Sequence, residues 1–133
     1  NAVNALSGVP AVAMLGDRDY RLAWALCVDE ALCVFQKAGI KPAKLKAPIR
    51  VLPYILRLPT FAFWAVARSL ATMDATLKLS MLQDLERGRR TEVDYINGEV
   101  VRLGRTVGVP TPVNERMCAL IKATEDAGRG SCM

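Results

Sequence analysis

The sequence predicts an all-α, multi-helix domain. Apolar residues recur at steps of three and four in several segments, and glycine and proline punctuate those segments where helices stop. No segment sustains the two-residue alternation of a half-buried strand. At 133 residues and 52% hydrophobic content the chain is one domain long and able to bury a core.

Taken in order, Asn1-Ala2-Val3-Asn4-Ala5-Leu6 reads as helix interior without a cap before it, as if the chain began in mid-helix, and Gly8-Val9-Pro10 ends it. Asp17 or Asp19 caps the next helix, which runs to about Ala38. Its apolar stripe is Tyr20, Trp24, Cys27, Ala31, Val34 and Ala38, and Leu22, Leu26 and Cys33 widen the buried face. Gly39 suits a left-handed stop. Ile40 to Pro53 is a connector carrying Lys41, Lys44, Lys46 and Arg50 without an acid.

Pro53 to Leu58 reads as a short helical turn. Thr60 then precedes Phe61, Phe63, Trp64, Ala67, Ser69 and Leu70, apolar on too many sides for an exposed helix. Ser80 with Gln83 matches a capping box, opening a short helix that Gly88 closes. Thr91 with Asp94 is a second box, opening a helix with Val93, Ile96, Val100, Leu103 and Val107 as its stripe, stopped by Gly108 and Pro110. Thr111 and Pro112 are N-cap and first-turn proline of the last helix, whose apolar face is Val113, Met117, Leu120 and Ile121. The expected division is a helical domain over 1–127 and a tail over 128–133.

The net charge of +5 fits an anionic ligand as well as a nucleic acid. The basic connector lacks the interleaved aromatics of a stacking platform, so no nucleic-acid partner is expected. Four cysteines without a C-x-x-C pair, and no histidine, argue against a metal centre. Cys27 and Cys33 in an apolar helix suit free thiols and a cytoplasmic location. The apolar run Val51 to Leu70 is broken by Pro53, Arg57, Pro59 and Arg68, which excludes a membrane span there, and no signal peptide is visible. The nine glycines nowhere form G-x-G-x-x-G or a P-loop, and the absence of histidine removes most triad and acid–base schemes.

What remains is a polar set between 80 and 98. Ser80 suits a cap and equally a contact to an anion. Asp84 has Arg87 or Arg90 as surface partners, and Glu92 and Asp94 suit a helix start. Asn97 is a poor interior helix residue without a partner for its amide, and Gly98 inside a helix implies close approach by a backbone or a ligand.

The run S-M-L-Q-D-L-x-x-G-R-x-T-E-x-D-Y-I-N-G, followed by G-x-P-T-P-x-N, resembles the C-terminal domain of the ketopantoate reductase (2-dehydropantoate 2-reductase) family, a helical domain of the 6-phosphogluconate dehydrogenase-like reductases. The resemblance extends upstream through Asn4-Ala5-Leu6-Ser7-Gly8 and the turn Ala38 to Pro42. It implies a two-part enzyme, in which an N-terminal Rossmann domain holds NADPH and the helical domain closes over a 2-keto acid that is reduced by hydride transfer, as in pantothenate biosynthesis. By that resemblance Glu92 matches the active-site glutamate, Ser80 a substrate-binding serine, and Asn4 the second of two substrate-side asparagines. The family's general-acid lysine would lie eight residues before Asn4, so this chain is expected to be inactive without its Rossmann partner. Leu77 stands where better-known members carry a substrate-binding Asn, and Leu79 replaces a frequent Ser. A homodimer is a further expectation. The alternative is a free-standing interaction module with Phe61, Phe63 and Trp64 as its contact face.

Overall fold

Eight α-helices and no strand occur among the described residues, which in this computed structural model are 1–42, 49–68 and 72–130. They are α1 (Ala2–Ser7), α2 (Ala11–Gly16), α3 (Arg18–Lys37), α4 (Leu52–Leu56), α5 (Thr60–Val66), α6 (Ser80–Glu86), α7 (Asn97–Val107) and α8 (Pro112–Gly130). A 3₁₀ turn, Ile49–Val51, leads into α4. Lys44 and Lys46 of the basic connector, Ser69 and Leu70 of the aromatic segment, and Cys132 lie outside the described residues.

The central helix α3 starts where its local signals place it. The Asp17 carboxylate accepts from the Asp19 amide at 2.8 Å, and Ala38 and Gly39 end the helix, Gly39 at φ 70°. Its expected stripe holds at Cys27 and Val34, with Tyr20 and Trp24 packed on the core, but the buried face widens on the other side from the one expected. Leu26 is 46% exposed and Cys33 is exposed as well, while Arg21 and Ala25 are fully buried beside Cys27 and Val34.

Arg21 is buried without a carboxylate partner among its hydrogen bonds. Its guanidinium donates to the carbonyls of Leu15 (2.6 Å), Leu56 (3.2 Å) and Leu58 (2.9 Å) and to the Thr60 hydroxyl (3.3 Å), with the Phe63 ring 4.5 Å from Cζ. Leu15 lies in the last turn of α2, and Leu56 is the last residue of α4. Those carbonyls are the orphan acceptors at the negative ends of two helices, so the cation is neutralised by dipoles and in return ties α2, α3, α4 and α5 together.

Around this staple, Val3, Met14, Leu15, Ala25, Leu56, Phe63 and Ala67 form one core cluster, against which Tyr20 and Trp24 pack. A second cluster, Ala2, Ala5, Met81, Leu82, Val93 and Ile121, joins α1 to α6 and α8, and Met117 of α8 touches both. Phe63 is 1% exposed and Trp64 packs on the first cluster edge to face with Phe63, rings 5.1 Å apart. Of the three aromatics expected to form a contact face, Phe61 is exposed, Phe63 is core and Trp64 is half-buried against that core.

The last two helices differ from expectation at their starts. Residue 92 is a bend and 93–96 are turn, closed by an i→i−5 bond from the Gly98 amide to the Val93 carbonyl (2.9 Å), and α7 begins only at Asn97. Val93 is drawn into the second core cluster instead of lining a helix stripe, and Ile96 is left 41% exposed. Packing outweighs the local helix signal here.

Helix α8 starts at Pro112 as expected, but its cap comes from α3. The Glu30 carboxylate accepts from the amides of Val113 (2.8 Å) and Asn114 (2.9 Å), while the Thr111 hydroxyl is buried with no partner. Helix α8 continues to Gly130, beyond the expected stop at Gly128. Close backbone approach occurs at Gly104 rather than Gly98: a Cβ on Gly104 would sit 2.8 Å from the Val109 carbonyl and 2.9 Å from Thr111 Cγ2. Among the described residues, no helix is long and apolar enough to cross a membrane.

Candidate functional site

Ser80 is the first residue of α6, with Leu79 at the cap position and no side-chain cap bond. The expected capping box is therefore not formed. Gln83 turns its amide back to the Lys78 carbonyl (2.8 Å), and the exposed Ser80 hydroxyl makes no intramolecular hydrogen bond among the described residues. Leading into Ser80, three consecutive residues are each fastened. The Leu77 carbonyl accepts from Ala11 N (2.7 Å), the Lys78 carbonyl from Gln83, and the Leu79 amide donates to Asn4 Oδ1 (3.1 Å).

Asn4 itself is fully buried in α1. Its Nδ2 donates to the Val9 carbonyl at 2.8 Å, so both polar atoms of its amide are engaged within the chain. Leu77 is 37% exposed and offers an apolar side chain.

Glu92 is also exposed, on a backbone pinned at both sides. Before it, the amide and hydroxyl of Thr91 both donate to Glu125 of α8 at 2.8 Å, and the same hydroxyl accepts from Val93 N at 3.2 Å. After it, Val93 is 1% exposed. Thr91 thus closes a small side-chain turn instead of a capping box. Asp94 pairs with Lys122 at 2.6 Å, raising the lysine's pKa through that hydrogen bond. No ion pair from Asp84 to Arg87 or Arg90 occurs among the described residues.

Ser80 and Glu92 thus share a construction, a free polar side chain on a fixed backbone. Their neighbours Met81 and Val93 belong to the same core cluster, which also holds Ala2 and Ala5 on either side of Asn4. Between them runs Arg87-Gly88-Arg89-Arg90, all exposed, which biases this surface toward anions.

Asn97 finds its partner inside the protein. Its Nδ2 donates to Asn114 Oδ1 (2.9 Å), and Asn114 Nδ2 donates to Glu30 (2.6 Å) and to the Cys27 carbonyl (3.2 Å). Sequence reasoning assigned no role to Glu30, Glu125 or Asn114, although Asn114 closes the G-x-P-T-P-x-N run, because each acts on groups far away along the chain. Burial, with the Glu30 charge nearby, pushes the Cys27 thiol up to about 11. A cavity of about 200 Å³ lies between α1, α3 and the start of α7, lined by Val3, Trp24, Cys27, Ile96, Asn97 and Asn114 among others. Neither Ser80 nor Glu92 lines it.

The family model described as "Ketopantoate reductase PanE/ApbA C terminal" matches residues 1–125, taking in Asn4, Ser80 and Glu92. The chain belongs to the ketopantoate reductase family. A 2-dehydropantoate 2-reductase of Pyrobaculum aerophilum is 34% identical over 126 residues, 94% of this chain and 39% of that protein. Among solved structures, a PanE/ApbA family ketopantoate reductase from Ralstonia eutropha JMP134 superposes with a TM-score of 0.72 at 26% identity, covering 97% of this chain and 38% of that one. A ketopantoate reductase from Staphylococcus aureus, described as dimeric, shares the fold with a TM-score of 0.67 at 18% identity over 96% of this chain and 39% of its own. The chain therefore spans about two fifths of the length of these ketopantoate reductases.

Proposed function

We propose that this chain is the substrate-side helical domain of an NADPH-dependent reductase that converts a 2-keto acid, with 2-dehydropantoate as the first candidate, to the 2-hydroxy acid by hydride transfer. The observation that carries the reading is the shared construction of Ser80 and Glu92, two exposed polar side chains on fixed backbone around one core cluster, inside a family match covering residues 1–125. In this reading the Ser80 hydroxyl donates to the substrate, the Glu92 carboxylate accepts from it, and the arginines between them favour its negative charge.

The chain's own residues do not fit the dinucleotide. Among the described residues there is no strand and no glycine-rich turn opening a helix, so the cofactor falls to a Rossmann partner. The interaction-module reading is weakened, with Phe63 in the core and Trp64 half-buried against it.

The test is NADPH oxidation with ketopantoate and a panel of other 2-keto acids, by this chain alone and by a form extended upstream through a Rossmann domain. The expected result is activity only in the extended form, with Glu92→Gln lowering kcat by about 100-fold and Ser80→Ala raising KM by about tenfold. Leu77→Asn is expected to lower KM for ketopantoate by restoring a donor. An extended form inactive on every 2-keto acid overturns the reading.

A further inference from the structure

Three consecutive backbone ties just before an exposed serine are more than a short helix requires. Helix α6 is seven residues long and already opens with the Gln83 amide bonded to the Leu79 carbonyl. The extra ties come from outside it: Ala11 to Leu77 from the start of α2, and Asn4 to Leu79 from the middle of α1. The Asn4 tie is the one nearest Ser80 and is made by a side chain with no exposed surface.

An asparagine amide offers an acceptor oxygen and an NH2 group with two N–H bonds, and here the oxygen and one N–H have internal partners. Oδ1 takes the Leu79 N–H, and Nδ2 gives to the Val9 carbonyl. Because Asn4 has no exposed surface, it meets a ligand outside only by turning out of its site, which breaks these buried bonds and strands backbone groups at a cost of about 1–3 kcal/mol. Remaining in place costs nothing and fixes the peptide that carries Ser80.

We infer that Asn4 is a positioning residue for Ser80, holding the start of α6 through the Leu79 amide, rather than a group that touches the 2-keto acid. The inference rests on the reductase reading for its kinetic consequence, and on the hydrogen bonds alone for its structural one. Ser80 is the group that meets substrate. Asn4 sets where its hydroxyl stands, and Gln83 contributes a weaker version of the same restraint through Lys78.

Two measurements test it. In this chain, amide hydrogen exchange reads the clamp directly: Asn4→Ala is expected to speed exchange at Leu79 by about tenfold or more while the α3 core stays protected. Unchanged protection at Leu79 overturns the inference. In the extended enzyme, a double-mutant cycle on KM for the keto acid separates positioning from contact. Asn4→Ala is expected to raise KM about tenfold when Ser80 is present and less than about twofold in the Ser80→Ala background, because the two act as one unit. Gln83→Met, which cuts the neighbouring tie and is compatible with a helix, is expected to raise KM in the same direction by about two- to threefold. Additive effects of Asn4→Ala and Ser80→Ala overturn the inference and make Asn4 a substrate contact. If Asn4→Ala does not fold, an unchanged KM in Gln83→Met overturns it instead. An extended enzyme inactive on every 2-keto acid overturns both this and the reductase reading, whereas an active one with additive effects overturns this alone.

Discussion

Helix α3 carries two charges into the interior, Arg21 near its start and Glu30 further along, and the protein treats them as mirror images. Arg21 meets the carbonyl ends of α2 and α4, and Glu30 meets the amide end of α8. Neither relies on an opposite charge in these contacts, and both use the partial charges that helix termini leave unsatisfied. The difference is water. Arg21 has no exposed surface, whereas Glu30 is half-buried. A desolvated ion loses much more when its partners are taken away, so the same device is a staple at one end of α3 and an adjustable cap at the other.

The comparison is broken most directly at Arg21. Arg21→Met is expected to cost about 4 kcal/mol, because it leaves three buried carbonyls without a donor. Chemical denaturation measures it, and Arg21→Lys should recover only part, since a single ammonium cannot span three carbonyls. At the other end, Glu30→Ala is expected to cost about 2 kcal/mol and Glu30→Gln about 1 kcal/mol, as the amide keeps one acceptor but loses the charge at the helix start. If Glu30→Ala proves as costly as Arg21→Met, burial is not what separates the two junctions.

Cys27 sharpens the comparison further, because its thiol responds to Glu30. Its folded pKa, about 11, lies above the ordinary thiol value, so the protonated form is the stabilised one. That stability is fully present below the unfolded pKa near 9 and is lost as pH rises toward 11. A decline of about 2 kcal/mol across that window is expected in melts of the parent and a smaller one in Cys27→Ala, where Cys118, also raised by burial, remains. Glu30→Gln should leave the start of the decline in place, make it smaller and end it at lower pH. Alkylation of the native chain should modify exposed Cys33 well before Cys27, two thiols on one helix separated by burial. The smallest effect lies away from both junctions. Gly98→Ala is expected to stabilise by about 0.5 kcal/mol, as the added Cβ meets only ordinary contacts at 3.4 Å.

What the sequence made legible follows the reach of each interaction. The Asp17 cap and the stop at Gly39 are settled within a few residues, and both are where local pattern places them. The N-terminal end of α7 was misplaced because the Val93 side chain is claimed by a cluster built from α1, α6 and α8, which no window around Thr91 contains. Ser80 was read as its own cap, yet Leu79 holds that position and the segment before it is tied down from α1 and α2. An arginine on an amphipathic helix reads as surface, so Arg21 gave no local signal of burial. Gly98 drew attention as the odd helical glycine, but the tight contact belongs to Gly104, whose neighbours come from the following loop and from α3.

The separations of these bonds along the chain also set an order of assembly. Asn4 reaches Leu79 across 75 residues, and Glu30 reaches Val113 across 83. The turn joining α7 to α8, by contrast, closes through the bond from Val109 to Gly104. Bonds that span more than half the chain bear the greatest loop-closure entropy, so the contacts that fasten the segment before Ser80 and cap α8 are expected to form in the last stage of folding, after the local helices and their short connections.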